Sequence, residues 1–484
     1  MQRLFSERKP NWMVCLGLSC VLVLSVSAAL RGPDLDEFAT FIFANPAMPL
    51  HTIWSKLWLT DANPPLFYFL AHAWAGATGL ALFPGRMLNL LALAFAAAWF
   101  AGAYRRSRGT VRRRLEYYLC FVIAAHFFVF YFSEYRSYFI QFMMAAVMVG
   151  AWIAGETEAP RIDPWEVAAF VVLVNLHQIS AIYGCALYGV LILRDLRRRR
   201  IREASIRLAA GLAAGAPLLA FTWLQMRQAR SVVGQVDWIP HYTLIQAFQQ
   251  ILNFTLRGLG ANVVSLVCAG IALFVAKHRP DKAALGTAGL LLAALLIATA
   301  AVLAIDLAVP IIVDRYFTFA VAALCGVMAL LVTRLAEERA WIRWLFVAQA
   351  VIYLLVGGIQ TATDRRWSDG ADKLAAVAAK CPGTRIHAGS VPLEPAEWIG
   401  LKYLAGQRGL KVLPVAPDQP GRCPVIYWTE NRPPNRVTLA AAGGNALAAA
   451  DRTAGWGVPA AQLRNAALIR SKNGAILVIG GPKG

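Results

Sequence analysis

From residue 11 to about residue 360 the chain alternates long apolar runs with short polar interruptions, and after that the pattern changes. About 20 apolar residues let a helix cross a bilayer, and shorter runs can cross when packed inside a bundle. Eleven runs are read as spans: 11–30, 86–104, 115–132, 138–154, 165–177, 180–193, 208–224, 261–276, 284–303, 316–332 and 344–359. A further apolar stretch, 64–82, opens with Pro64-Pro65 and contains His72 and Trp74, and reads as a juxtamembrane or re-entrant helix. The first run is followed by too many others to be a cleaved signal peptide. Beyond residue 361 no run is long enough to span. Helical patterns at 372–380 and 395–407 alternate with strand-like runs at 385–389, 410–415, 424–429 and 475–480. That alternation predicts a small α/β domain outside the membrane, and hence a division into 1–360 and 361–484.

Composition agrees with this reading. Of the 484 residues 58% are hydrophobic and only 15% charged, against about a quarter charged in a soluble domain. A cytosolic enzyme, a disordered chain and a disulfide miniprotein are excluded. The 47 Lys and Arg against 27 Asp and Glu leave a net charge of +20, which in a soluble protein would point to nucleic acid. Here 22 of the 47 basic residues fall in five clusters abutting apolar runs: Arg3 to Lys9, Arg105 to Arg114, Arg194 to Arg207, Lys277 to Lys282 and Arg334 to Arg343. This is the positive-inside pattern, so all five are placed in the cytoplasm. Parity then allows one crossing between Arg31 and Arg105, which selects 86–104 over 64–82 and puts the carboxyl terminus outside. Eight cysteines show no metal-ligand spacing. Six lie in apolar runs as small core residues. For Cys381 and Cys423, each just before a predicted strand, a disulfide and two separate thiols fit the sequence equally.

Polar residues next to an oily body call for a reason, and four outer loops hold them: 31–63, 132–138, 225–260 and 306–316. Taken singly, each residue has a structural reading. Asp36 and Glu37 could cap a helix, Glu134 and Arg136 could pair locally, and Arg315-Tyr316 could be an interface anchor. His72 and His177 read as polar residues satisfied by neighbours. Taken together, paired carboxylates, an acid–base pair and isolated arginines on one face suit an anionic lipid headgroup, with carboxylates for proton transfer and Arg for phosphate.

The motifs carry a family resemblance. Leu35-Asp36-Glu37-Phe38 stands where membrane glycosyltransferases of the GT-C type, in the protein O-mannosyltransferase and lipid A aminoarabinose transferase superfamily, have an Asp-Glu motif. Asp61-Ala62-Asn63-Pro64-Pro65-Leu66-Phe67-Tyr68 resembles the family's Asp-x-His-Pro-Pro-Leu-Tyr-Tyr, with Asn63 in place of His. Arg86-Met87-Leu88-Asn89 resembles its Arg-Leu-Pro-Ser, and Phe132-Ser133-Glu134-Tyr135-Arg136-Ser137-Tyr138 its Ser-Gln-Glu-Ala-Arg-Pro-Tyr. Asp237-Trp238-Ile239-Pro240 and Asp314-Arg315-Tyr316 resemble later patterns. The set runs in order over residues 10 to 360; the remainder resembles nothing specific.

The resemblance implies an all-α polytopic membrane protein of the GT-C fold with a C-terminal α/β domain in the periplasm of a bacterial inner membrane. It implies an inverting transfer from a polyprenyl-phosphate sugar, with undecaprenyl phosphate as carrier, to a lipid, glycan or protein hydroxyl. Asp36 is the implied general base, with Glu37 beside it. Arg136, Arg315 and Tyr316 are implied to hold the donor phosphate, and Asp61, Asn63, Glu134, Asp237 and His241 to line the substrate pocket. A divalent cation, Mg or Mn, would sit at Asp36 and Glu134 if the reaction uses one.

A transporter or flippase of a lipid-linked sugar would share the spans and buried charges, but would show internal repeats, and none is seen. A scaffold acting through its outer domain is a third reading. The eleven-span topology predicts that a reporter active only in the cytoplasm is silent when fused at Gly484; strong activity there breaks the count.

Overall fold

The computed structural model describes residues 12–61, 63–155, 162–228, 240–274, 280–388, 395–414, 421–430, 466–472 and 474–480. Among them seven helices are long and apolar enough to cross a membrane, and up to nine if each of two bent pairs is one span. Two shorter apolar helices, Tyr138–Ala154 and Pro164–Leu176, complete the series. Each expected span thus falls on a helix, as it must where lipid cannot satisfy backbone N–H and C=O groups.

Three segments differ from expectation in instructive ways. The span expected over 115–132 is broken: Gly109–Ile123 and His126–Phe132 are bent by 53°. The break leaves carbonyls without helical partners, and Asn262 Nδ2 donates to Phe121 O at 2.7 Å. The loop expected over 225–260 contains the helix Leu244–Leu259, opened by a capping box between Thr243 and Gln246 and continuous in apolar character with Val263–Phe274. The loop expected over 31–63 contains the helices Leu35–Phe43 and Leu50–Lys56.

Packing separates the chain into two compact units, Met1–Ala28 with Phe43–Thr361, and Ala29–Ile42 with Ala362–Gly484. In the first, Tyr138–Ala154 and Thr318–Glu338 are the central helices, buried along nearly their whole lengths. Glycines let them close up. A Cβ on Gly326 would stand 2.5 Å from Val149 Cγ1, and one on Gly150 would stand 2.5 Å from the Trp99 ring. Ion pairs tie the basic clusters to one end of this unit. Arg114 meets Asp281 at 2.7 Å, Arg113 meets Glu337 at 3.3 Å, Arg343 meets Glu116 at 3.4 Å and Arg106 meets Asp163 at 3.7 Å. The buried Arg207 bridges Glu166 and Asp195. Four clusters far apart in sequence therefore share one end, as a common side of the membrane requires.

The second unit is built on a five-stranded sheet: β1 (Arg385–Ala388), β2 (Val412–Leu413), β3 (Val425–Thr429), β4 (Ala466–Arg470) and β5 (Ala475–Ile479), in the order β2-β1-β3-β5-β4. β1 runs parallel to β2 and β3, whereas β5 is antiparallel to β3 and β4. Four strands and both helices, Arg366–Ala378 and Pro395–Gly406, fall where the pattern places them; β4 has no counterpart in the sequence reading. A disulfide joins Cys381 to Cys423 with a Cα–Cα distance of 5.6 Å, and the 42-residue loop it closes corresponds to about 4 kcal/mol of chain-entropy stabilisation.

The helix Leu35–Phe43 is a core element of this unit. Phe38 is fully buried, with its ring 5.5 Å from that of Trp367 and 5.8 Å from that of Tyr403. Gly400 is required there, since a Cβ would lie 2.6 Å from both Phe38 and Trp367. The segment leading into it is pinned by Gly32 N–H to Asp364 O at 2.9 Å and by Trp367 N–H to Pro33 O at 3.3 Å.

Directly after β3, Glu430 is wholly buried and accepts from Trp428 Nε1 at 2.7 Å and Ser471 Oγ at 3.0 Å. Burial pushes its carboxyl from an ordinary 4.5 up to about 8, with Asp369 and Glu397 pushing the same way. A raised carboxyl contributes stability below its unfolded value that is lost as pH climbs through the folded one. Unfolding of this unit in the full-length protein is therefore expected to become easier from about pH 5 to 8, by up to about 1.4 kcal/mol per pH unit. Glu430→Gln should flatten that profile; a flat wild-type profile over the range contradicts the assignment.

Candidate functional site

The segment Phe132–Tyr138 is the centre of the candidate site, and its shape is set from three sides. Asn89 Nδ2 donates to the carbonyls of Phe132 and Glu134 at 3.0 and 2.9 Å, and more weakly to that of Tyr131 at 3.4 Å. Tyr135 donates its hydroxyl to Ala71 O at 3.1 Å, and its ring lies over Gly85, where a Cβ would stand 2.6 Å away. Behind it, Gln141 Nε2 donates to Ser137 Oγ at 2.7 Å, and Ser180 Oγ donates to Gln141 Oε1 at 2.6 Å. This buried relay clamps the start of Tyr138–Ala154 to the start of Gln178–Arg197. Glu134 and Arg136 are consequently buried at fixed positions.

Arg315 arrives from the other side. Asp306 Oδ1 accepts from Ile311 N and Ile312 N at 2.7 and 3.1 Å, folding the end of Lys282–Asp306 back into the turn Asp314–Tyr316. The guanidinium carbons of Arg136 and Arg315 each lie 5.8 Å from the Tyr138 ring centroid. Tyr316 lies 6.3 Å from Tyr138 and 4.2 Å from the His177 ring. His177 occupies the turn between Pro164–Leu176 and Gln178–Arg197 and is buried. Its Nδ1 accepts the Ile179 N–H at 3.2 Å, which leaves the ring neutral beside the charges of Arg136 and Arg315. Two arginines, two tyrosines and a neutral histidine thus come together from three parts of the chain.

Asp61 borders this group. Its Oδ2 accepts from Asn63 Nδ2 at 3.1 Å, Asn63 N at 3.3 Å and Tyr68 Oη at 2.7 Å, an Asx-type turn that starts the helix Leu66–Thr78. Gln225 donates to the Asp61 carbonyl. The buried Tyr68 phenol is held above its usual range by burial and by Asp61, with Arg136 pulling it back. The charge of Arg136 therefore reaches the Asp61 turn.

Asp36 and Glu37 belong to the second unit, in the first turn of Leu35–Phe43. Asp34 Oδ1 accepts from Glu37 N at 3.3 Å, so a cap of this helix comes from Asp34, whereas the sequence reading assigns capping to Asp36 and Glu37; Asp34 also pairs with Arg366. Asp36 is partly exposed and Glu37 fully buried. Of the other expected pocket residues, His241 is exposed and Asp237 lies outside the described residues. Among the described residues no group of three or more His, Cys, Asp or Glu could hold a metal ion, so the divalent cation expected at Asp36 and Glu134 has no ligand set there.

His177 and Asn89 are the residues whose part in the site sequence reasoning missed. A histidine between two apolar runs carries a weak signal; its position at a break between spans was the usable one.

By sequence, neither a protein-family model nor a curated protein matches the chain. By structure, it is similar to ArnT from Cupriavidus metallidurans. The crystal structure of that protein bound to undecaprenyl phosphate gives a TM-score of 0.53 at 14% identity, covering 98% of each chain. Its apo-state structure gives 0.52 at 14% identity, covering 97% of this chain and 98% of that one. A likeness over the full length of both chains, together with the helices described, makes this a multi-pass membrane protein with the GT-C fold and a small C-terminal α/β unit.

Proposed function

We propose that the protein is an inverting glycosyltransferase that moves a sugar, hexosyl or pentosyl, from a polyprenyl-phosphate carrier to a hydroxyl of a cell-envelope acceptor. Undecaprenyl phosphate is the proposed carrier, and the periplasmic face of a bacterial inner membrane the proposed location. The observation that carries the reading is the cluster of Arg136, Arg315, Tyr138 and Tyr316. Two fixed guanidinium groups in a largely buried setting suit a lipid phosphate, and the structural neighbour ArnT was solved with undecaprenyl phosphate.

In this reading the acceptor oxygen attacks the anomeric carbon as Asp36 takes its proton. The bond from that carbon to the phosphate oxygen breaks, and the electron pair leaves with the polyprenyl phosphate. The transition state is oxocarbenium-like, so a carboxylate also stabilises its positive charge. Arg136 and Arg315 meet the negative charge that grows on the leaving phosphate, which then needs no proton. Glu37, one residue on in the same helical turn, orients Asp36.

The test is transfer by purified protein reconstituted with polyprenyl-phosphate sugar and candidate acceptors, lipid A among them. Asp36→Asn should lower kcat by about 10²–10⁴-fold while leaving donor binding intact. Arg136→Ala and Arg315→Ala should each weaken donor binding by about tenfold or more. Normal transfer by a well-folded Asp36→Asn protein sinks the proposed base. Movement of the lipid across vesicles without any transfer would favour a transporter instead.

A further inference from the structure

Within the arginine cluster the His177 ring has a structural task for only one of its two nitrogens. His177 stands in extended backbone (φ −161°, ψ 138°) at the start of Gln178–Arg197, and its Nδ1 accepts the Ile179 N–H at 3.2 Å. A ring nitrogen that accepts carries no proton. With Nδ1 accepting, the ring is neutral and its single proton is on Nε2. Nε2 is therefore a donor. It is buried, and among the described residues it has no hydrogen-bond partner. Buried donors are nearly always matched, so a fixed, unmatched one marks a place where an acceptor comes and goes.

The surroundings say what that acceptor is. The ring packs 4.2 Å from Tyr316, next in sequence to Arg315, and the Ser137–Gln141–Ser180 relay fixes the residues following Arg136 and His177 to each other. An acceptor entering beside two arginines is anionic. We propose that His177 Nε2–H donates a neutral hydrogen bond to a non-bridging oxygen of the polyprenyl-phosphate group held by Arg136 and Arg315. This assignment rests on the donor class proposed above.

Neutrality has a chemical use. The sugar phosphodiester carries one negative charge, and the phosphate monoester left after transfer carries about −1.5 to −2. Two arginines already balance the product, and a third cation would hold it too firmly to release. A neutral donor adds direction without adding charge, and its hydrogen bond strengthens as charge moves onto the phosphate.

Two substitutions separate this role from helix capping. His177→Asn keeps a short side-chain acceptor for Ile179 N–H, since Asn is a good N-cap, but removes the distant donor. His177→Gln places an amide N–H near the position of Nε2 and weakens the cap. Binding of undecaprenyl phosphate alone to the full-length protein in nanodiscs is measured, with the lipid-free thermal midpoint as control. The expected result is an unchanged midpoint and about tenfold weaker binding for His177→Asn, with His177→Gln recovering most of the affinity despite a lower midpoint. Wild-type affinity in His177→Asn overturns the assignment, as does weakening in both variants that follows their loss of stability. Absence of binding by the wild type would overturn the donor class itself and His177 with it; normal wild-type binding with normal His177→Asn binding removes only His177.

Discussion

An apolar body gives unpaired backbone groups no water to turn to, and the candidate site is built where that constraint is met by side chains. At four places in the first unit where a helix stops, a polar side chain closes the break. Asn89 holds the carbonyls of Phe132 and Glu134, Asn262 holds that of Phe121, Asp306 holds the amides of Ile311 and Ile312, and His177 holds that of Ile179. Three of these four closures position a side chain of the candidate site, Arg136, Arg315 or His177 itself. Non-helical backbone at such a depth is stable only where protein or a bound ligand completes its hydrogen bonds. The breaks are thus the cause of the site's rigidity as well as its location.

The second unit shows how a carboxylate pair is carried. The helix with Asp36 and Glu37 has nine residues, too few to be stable alone. Its anchor is Phe38, which fills a slot that exists because position 400 is glycine, and Asp34 fastens its first turn to Arg366. Arg366 itself adopts a left-handed φ of 40°, a strained conformation for a side chain of its size, held by Asp34 and by Asp364 at 3.0 Å. The position of Asp36 therefore depends on the folding of residues more than 300 positions later. Loss of the C-terminal unit would remove the seat of the acid pair, whatever the state of the helices.

What the sequence revealed follows from the range of each interaction. Spans and the sidedness of the basic clusters were legible because hydropathy and charge act over whole segments, and the Arg113, Arg114 and Arg343 ion pairs agree with that sidedness. The strands β1, β3 and β5 were legible as short apolar runs, whereas β4, whose residues are only partly buried, left too faint a pattern. Arg136, Arg315 and Tyr316 could be named from order and spacing. The bend after Ile123, the seat of Phe38 and the inclusion of His177 could not, because each depends on a partner distant in sequence: Asn262, Trp367 and Arg315 respectively.

The two departures from the family motifs take on a definite meaning in this light. Asn89 stands where Ser is usual, and its amide reaches two backbone carbonyls at about 3 Å, one of them that of Glu134, which a single hydroxyl donor could not do. Asn63 stands where His is usual, and both its side chain and its backbone N–H are engaged by Asp61, so the turn can form without an imidazole. Both asparagines act on backbone shape, Asn89 through buried carbonyls and Asn63 through the Asp61 turn. Differences at these positions are therefore accounted for by how the turns are closed.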